Sequence, residues 1–156
     1  MNYEFCKCCS VKRGFTLIEM LIIIGIIAVL VGIGIPVFKG FQPVLQLNGA
    51  VRDLVTDLRY AQQLAVTEQL EHCVRFFPED REYKIIQCQN PGAEEILKTI
   101  SFQEINSITV ADFSDNEARY NPYGSVKKDG TVTLEVNGKT KTIEVRPSGF
   151  VRIKKD

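Results

Sequence analysis

Residues 14 to 38 read GFTLIEMLIIIGIIAVLVGIGIPVF, an almost unbroken apolar stretch in which Glu19 is the only ionisable side chain. As a helix, residues 15 to 38 would be roughly 36 Å long, which exceeds the hydrocarbon core of a bilayer, about 30 Å thick. We therefore predict that residues 15 to 38 form a transmembrane helix that anchors the protein.

Two basic residues, Lys12 and Arg13, precede this stretch and are separated from it by Gly14. A secretory signal peptide has a shorter apolar core, of about 7 to 15 residues, and is cut after that core. Cleavage after Gly14 would instead remove the basic residues and leave the apolar helix at the new N-terminus. The pattern therefore favours a leader at residues 1 to 14 and a retained anchor.

The sequence KRGFTLIE at residues 12 to 19 resembles the processing site of type IV prepilins and of the pseudopilins of type II secretion. The resemblance implies that prepilin peptidase cuts between Gly14 and Phe15 and methylates the Phe15 amine. It also implies that Glu19 guides assembly with other pilin or pseudopilin subunits.

The position of Glu19 suggests how it would act. A carboxylate in a membrane helix is costly and usually has a partner, for which we expect the Phe15 amine of a neighbouring subunit. The same pair lies one helical turn apart and can also form within one chain. A third alternative is that the Glu19 side chain only reaches the membrane interface.

The 156 residues fit one small domain on an anchor, and the 19 basic and 19 acidic residues cancel. Charge is nevertheless unevenly distributed. Residues 42 to 118 carry six basic and thirteen acidic side chains, a net charge of −7. Residues 119 to 156 carry nine basic and four acidic side chains, a net charge of +5, which can attract acidic or polyanionic partners.

Apolar residues recur every three or four positions in residues 39 to 71, which predicts an amphipathic soluble half of the helix. The stripe consists of Val44, Leu47, Val51, Leu54, Leu58, Ala61 and Ala65. From residue 72 to residue 156 the apolar pattern alternates, which predicts a β-rich globular domain. The predicted strands cover residues 72 to 77, 82 to 89, 96 to 102, 105 to 111, 131 to 136, 140 to 146 and 150 to 154.

Asn137-Gly138 lies between two of these strands and predicts a tight hairpin turn. The expected fold class is α+β and pilin-like. A long N-terminal helix, membrane-spanning in its first half and amphipathic in its second, would pack on a small antiparallel β-sheet domain.

The soluble part resembles the GspH/FimT-like group of minor pilins and pseudopilins. The resemblance rests on LRYAQQLA at residues 58 to 65, YNPYG at residues 120 to 124 and GFVR at residues 149 to 152. In FimT-like members a glycine-arginine-x-arginine element near the C-terminus is associated with DNA binding. Here Phe150 replaces the first arginine of that element, and only Arg152 matches.

Duplex DNA is consequently a candidate partner, bound through phosphate contacts. The candidate DNA-binding residues are Lys127, Lys128, Arg146, Arg152, Lys154 and Lys155. The alternative is that these residues form a charged edge that blocks strand addition and keeps the domain soluble.

Cysteines divide at the predicted cleavage point. Cys6, Cys8 and Cys9 precede it, and only Cys73 and Cys88 follow it. A hairpin register that places Cys73 opposite Cys88 would allow a disulfide in an oxidising compartment. A register that pairs Cys73 with Ile86 would instead favour two separate buried thiols.

The sequence contains no motif that indicates catalysis, a metal site or a cofactor site. His72 is the single histidine, and the sequence has no phosphate-binding glycine loop and no nucleophile elbow. Cys6, Cys8 and Cys9 lack a second ligand pair at zinc-site spacing.

These observations predict a minor pilin or pseudopilin, a structural subunit assembled into a type II secretion pseudopilus or a type IV pilus after peptidase cleavage. We expect it to cross the inner (cytoplasmic) membrane once, with its C-terminal domain on the periplasmic side. One alternative is a DNA-binding minor pilin that serves DNA uptake. Another is a membrane-anchored binding protein that does not polymerise.

Overall fold

The structure is a computed structural model that describes residues 14 to 88 and 94 to 154. Its chain forms two compact units, Met1–Gly40 and Phe41–Asp156. The predicted leader up to residue 13, its three cysteines and Lys155 lie outside the described residues.

Within the described residues, one helix, α1 (Leu17–Glu68), is followed by eight strands. The strands are β1 (His72–Phe77), β2 (Glu82–Gln87), β3 (Glu95–Ser101), β4 (Ser107–Ala111), β5 (Glu117–Tyr120), β6 (Gly130–Val136), β7 (Lys139–Val145) and β8 (Val151–Ile153). A single 3₁₀ turn, Ser114–Asn116, precedes β5.

The α+β fold class is confirmed, with one correction to the expected sheet. The strands form two four-stranded antiparallel sheets, in the orders β3-β2-β1-β5 and β4-β6-β7-β8. Seven strands fall on predicted runs, but β5 was not predicted. Its sequence, EARY, alternates too briefly and carries two charged residues, so it lacks the usual strand pattern.

The second unit contains one main hydrophobic core, formed by α1 and both sheets. Six of the seven predicted stripe residues are buried, from Leu47 to Ala65, whereas Val44 is half-buried. Val74 and Tyr83 from the first sheet and Leu134 and Ile143 from the second belong to the same cluster. Since every member of this cluster lies between residues 47 and 151, the second unit has a complete core of its own.

Asp57, on the buried side of α1, binds two side chains of the first sheet. The Tyr83 hydroxyl donates a hydrogen bond of 2.7 Å to Asp57 Oδ2, and Lys98 Nζ lies 2.7 Å from Asp57 Oδ1. Burial raises the pKa of Tyr83, and its hydrogen bond to Asp57 raises it further. The hydroxyl therefore stays protonated and remains a donor at neutral pH.

The hairpin between β6 and β7 has the predicted turn. Val136 pairs with Lys139, and the two residues between them, Asn137 and Gly138, have φ values of 49° and 76°. Two successive positive φ values are those of a type I′ turn, which suits Asn-Gly.

Candidate functional site

Thr16 caps the N-terminus of α1. The Glu19 backbone N–H donates to Thr16 Oγ1 at 3.3 Å, and the Met20 N–H donates to the Thr16 carbonyl at 3.2 Å. Thr16 and Glu19 have the spacing of a capping box, in which a threonine is followed three residues later by a glutamate. The cap at Thr16 was not predicted, because Glu19 was considered only for assembly or for reaching the membrane interface, although the spacing of Thr16 and Glu19 was a visible signal.

Gly14 and Phe15 precede the helix and are exposed. A Cβ atom added to Gly14 would meet nothing within 4 Å, so packing in the described part of the chain does not require glycine there. The Phe15 side chain is 74% exposed. An exposed dipeptide outside the helix is accessible to a peptidase.

Glu19 lies in the first turn of α1, and its side chain forms no ion pair with the described residues. The partial positive charge of a helix N-terminus favours a carboxylate at this position. Glu19 is therefore accommodated within its own helix and still has free acceptor capacity for a second chain.

The segment Leu17–Ile35 is 19 residues long and apolar enough to cross a membrane, and none of it is buried within the structure. Its leucine, isoleucine and valine side chains form a continuous exposed apolar surface. A surface of this kind needs lipid or other apolar helices around it.

Arg146 and Arg152, two of the candidate DNA-binding residues, share one carboxylate. Arg146 Nε donates to Glu144 Oε1 at 3.1 Å, and Arg152 Nε donates to Glu144 Oε2 at 2.8 Å. The hydrogen bond from Arg152, followed by that from Arg146, lowers the pKa of Glu144. Both arginines thus face a carboxylate that remains ionised, which weakens their attraction for phosphate. Lys154 is exposed just after β8.

Lys127 and Lys128 lie elsewhere, in a cleft of about 770 Å³ on the second unit. The cleft is lined by Arg75, Ser114, Asp115, Glu117, Arg119, Lys127 and Lys128. The structure therefore brings the two lysines together with Arg75, from the acidic stretch of residues 42 to 118, and with Arg119, the first residue of the basic stretch. Neither arginine was among the predicted DNA-binding residues. The missed pairing of β1 with β5 is what places these arginines there.

Glu117 holds both arginines of the cleft. Arg75 Nε donates to Glu117 Oε2 at 2.9 Å, and Arg119 Nε donates to Glu117 Oε1 at 2.8 Å. Arg75 also binds Glu94 through two hydrogen bonds of 2.8 Å, which raise the pKa of Arg75 and lower that of Glu94. The two guanidinium groups are thereby fixed in position beside the lysines.

The thiol pair, Cys73 and Cys88, lies on the same outer sheet face as this ion-pair network. Cys73 pairs with Ile86, so the register that would place the two cysteines opposite each other is wrong. Both cysteines are buried free thiols, yet their sulfur atoms and a Glu117 oxygen lie within 4.8 Å of one another. Contact with Cys88 and burial raise the pKa of Cys73. The disulfide remains a prediction that now rests on a diagonal pair.

Cys73, Cys88 and Glu117 are close enough to bind a metal ion together, but the contacts of Glu117 disfavour this. Both of its carboxylate oxygens already accept hydrogen bonds from guanidinium groups, and a cation would have to displace them. The raised pKa of the Cys73 thiol also disfavours the thiolate that a metal requires. The arrangement suits an ion-pair network beside two thiols.

Comparison with solved structures identifies the same fold in a type IV minor pilin and in a minor pseudopilin. The type IV minor pilin FimU of Pseudomonas aeruginosa superimposes with a TM-score of 0.59 at 16% identity, over 74% of this chain and 92% of FimU. The minor pseudopilin EpsH of the Vibrio cholerae type 2 secretion system gives a TM-score of 0.59 at 10% identity, over 70% of this chain and 96% of EpsH. At these identities the likeness concerns the fold alone.

Comparison with curated proteins finds a fimbrial protein of Pseudomonas aeruginosa, 35% identical over 74 residues. The chain spans about half the length of the curated relatives it matches, since the alignment covers 47% of each protein.

Two family models also match. The prokaryotic N-terminal methylation motif covers residues 9 to 35, and the type II transport protein GspH covers residues 50 to 149. The second match spans well over half of the chain and includes strands β1 to β7. The family consists of structural pilin and pseudopilin subunits, which are not enzymes. The chain therefore belongs to the type II transport protein GspH family.

Proposed function

We propose that this protein is a minor pilin or pseudopilin that is cleaved after Gly14, methylated on Phe15 and assembled through its N-terminal helix into a type II secretion pseudopilus or a type IV pilus. The observation that carries the proposal is the exposed apolar segment Leu17–Ile35, joined to a globular unit that has its own core. Such an anchor can leave the bilayer without unfolding the rest of the molecule.

The energetics of assembly favour this role. Lipid tails are about as apolar as leucine side chains, so exchanging lipid for neighbouring helices has little hydrophobic cost. Helix packing and specific polar contacts then decide where a subunit binds. Glu19 is the only ionisable side chain in the segment, and a neighbouring Phe15 amine would set the register of the incoming subunit.

Membrane orientation follows from the flanking charges. Lys12 and Arg13 precede the span, and basic residues next to a membrane segment favour the cytoplasmic side. The protein then crosses the inner membrane once, with the second unit on the periplasmic side. In this orientation prepilin peptidase meets the Gly14–Phe15 bond near the cytoplasmic face.

The test is expression of the full chain in cells that contain prepilin peptidase and assemble a type IV pilus or a type II secretion pseudopilus, followed by mass spectrometry and isolation of filaments. We expect a mature chain that begins with one N-methylated Phe15 and is found in the filament fraction. Glu19→Gln should be cleaved normally but be depleted from filaments, whereas the control Asp112→Asn, at an exposed position after β4, should enter them normally.

Three outcomes would contradict this proposal. A chain that stays uncleaved in cells with active peptidase would favour a membrane-anchored binding protein that does not polymerise. Normal incorporation of Glu19→Gln would remove Glu19 from the mechanism. Cleavage without entry of the unaltered chain into any filament would separate processing from assembly and contradict the structural role.

Duplex DNA uptake is a second candidate function, favoured by the exposed Lys127 and Lys128, which have no acidic partner among the described residues. It predicts salt-sensitive binding of duplex DNA that is weakened in a Lys127→Ala, Lys128→Ala double variant. Absence of binding at low salt would leave assembly as the sole proposed role.

A further inference from the structure

The cleft that contains Lys127 has features of a binding site. Beyond β5 the chain returns as an isolated bridge in which Tyr120 pairs with Val126, and the Lys127 backbone N–H donates to the Arg119 carbonyl at 3.1 Å. This register places Lys127 opposite Arg119. Opposite residues of antiparallel strands project from the same face with their Cβ atoms about 5 Å apart, so the two cations are close neighbours.

Like charges directly opposite each other are destabilising unless an anion lies between them. Glu117 occupies one side of Arg119 through a hydrogen bond to Nε, and Glu71 approaches Nη1 at 3.3 Å. Arg119 Nη2 has no hydrogen-bond partner among the described side chains. The cleft therefore presents unused donors from Arg119 Nη2 and both lysines, on a framework already fixed by Glu117.

The distribution of basic and acidic side chains around the cleft limits which ligands can bind there. Four basic residues line it together with Asp115 and Glu117, while Glu71 and Glu94 bind the same arginines from the side. A duplex, with about one negative charge per 1.7 Å of helix axis, would bring many phosphates against these four carboxylates. A short segment with one or two carboxylates would instead fit between them and satisfy the free donors.

We propose that this cleft binds an acidic segment of a neighbouring pilin-type subunit, whose side-chain carboxylates pair with Lys127, Lys128 and Arg119. The proposal rests on the assembly role proposed above. Charge complementarity favours a subunit of the same kind as the occupant, because residues 42 to 118 of this chain have a net charge of −7. The turn before β2, in which Glu79 and Asp80 are exposed, is an example of an acidic surface segment on a subunit of this kind.

The experiment measures fluorescence anisotropy of a fluorescein-labelled peptide of five glutamates with the full chain in detergent, across a salt series. Lys127→Gln, Lys128→Gln should weaken binding by about tenfold, since two exposed ion pairs are lost. The matched control Lys139→Gln, Lys141→Gln removes the same charge from β7 and should change affinity less than about twofold. Lys127→Arg, Lys128→Arg should keep the binding, and thermal unfolding of each variant checks that it is folded.

Equal losses in the cleft and control variants would overturn the proposal, because they would indicate only general attraction to a basic surface. Absence of peptide binding at the lowest salt would overturn it as well. Binding of a labelled DNA duplex in place of the peptide, with the same dependence on Lys127 and Lys128, would replace the acidic segment by nucleic acid. None of these results changes the cleavage and filament assay of Glu19→Gln, so the two proposals fail independently.

Discussion

The contact between Asp57, Tyr83 and Lys98 allows a quantitative prediction about how the β-domain is held to its helix. Asp57 is 7% exposed and accepts a hydrogen bond from the fully buried Tyr83, whereas the Lys98 side chain is 49% exposed. Tyr83→Phe removes a hydrogen bond to a charged group and leaves Asp57 only partly satisfied, which should cost about 1.5 to 3 kcal/mol. Lys98→Met removes a solvent-screened ion pair and should cost about 1 kcal/mol or less.

Urea denaturation of residues 41 to 156 and of both variants measures these costs as changes in the free energy of unfolding. The double variant completes a cycle, and because both side chains bind one carboxylate, we expect its cost to differ from the sum of the two single costs. A larger loss for Lys98→Met than for Tyr83→Phe would refute the reasoning. It would mean that the ion pair from Lys98 on β3 contributes more to stability than the hydrogen bond from Tyr83 on β2.

Three further predictions follow from individual contacts. Gly149→Ala should destabilise the domain by more than about 1 kcal/mol, because φ is +80° and a Cβ would lie 2.0 Å from the Gly124 carbonyl oxygen. The control Gly138→Ala, at φ +76° with nothing within 4 Å, should lose less in the same denaturation assay. Arg152→Gln should raise the pKa of Glu144 in an NMR titration. Because the folded-state pKa of Glu144 is lowered, the stability that this contact contributes is present above its unfolded-state pKa and is lost as the pH falls through the folded-state pKa. A disulfide oxidant of the thiol-exchange class should convert the thiol pair to a disulfide, and two free thiols in the oxidised, denatured chain would contradict this.

Periodicity predicted much of the fold from sequence alone. The stripe from Leu47 to Ala65 and the alternation in seven strands follow directly from which side chains must be buried. The division into two sheets could not be predicted in the same way, because alternation shows that a strand exists but not which strand it pairs with. The cysteine register was uncertain for the same reason, and the structure pairs Cys73 with Ile86.

The basic surface shows the limit of charge counting along a chain. Lys127 and Lys128 were expected to act with Arg146 and Arg152, but the latter two share Glu144. Arg75 on β1 and Arg119 on β5 are distant in sequence but adjacent in the first sheet, and they line one cleft with the two lysines instead. Long-range strand pairing decides which charges meet, and local sequence carries little information about it.

The N-terminal cap has a consequence for the interpretation of Glu19 variants. Thr16 Oγ1 accepts the hydrogen bond from the backbone N–H of Glu19, so the Glu19 side chain is not needed for that bond. Glu19→Gln keeps this bond and also keeps an amide oxygen that can reach back to the Thr16 N–H, as glutamine does in a capping box. It removes the negative charge alone. Thr16→Ala does the reverse, weakening the cap by about 1 kcal/mol while leaving the charge in place.

If assembly needs an ion pair with a neighbouring Phe15 amine, the glutamine variant should be depleted from filaments more strongly than the alanine variant. If it needs only a well-formed helix start, the order should be reversed.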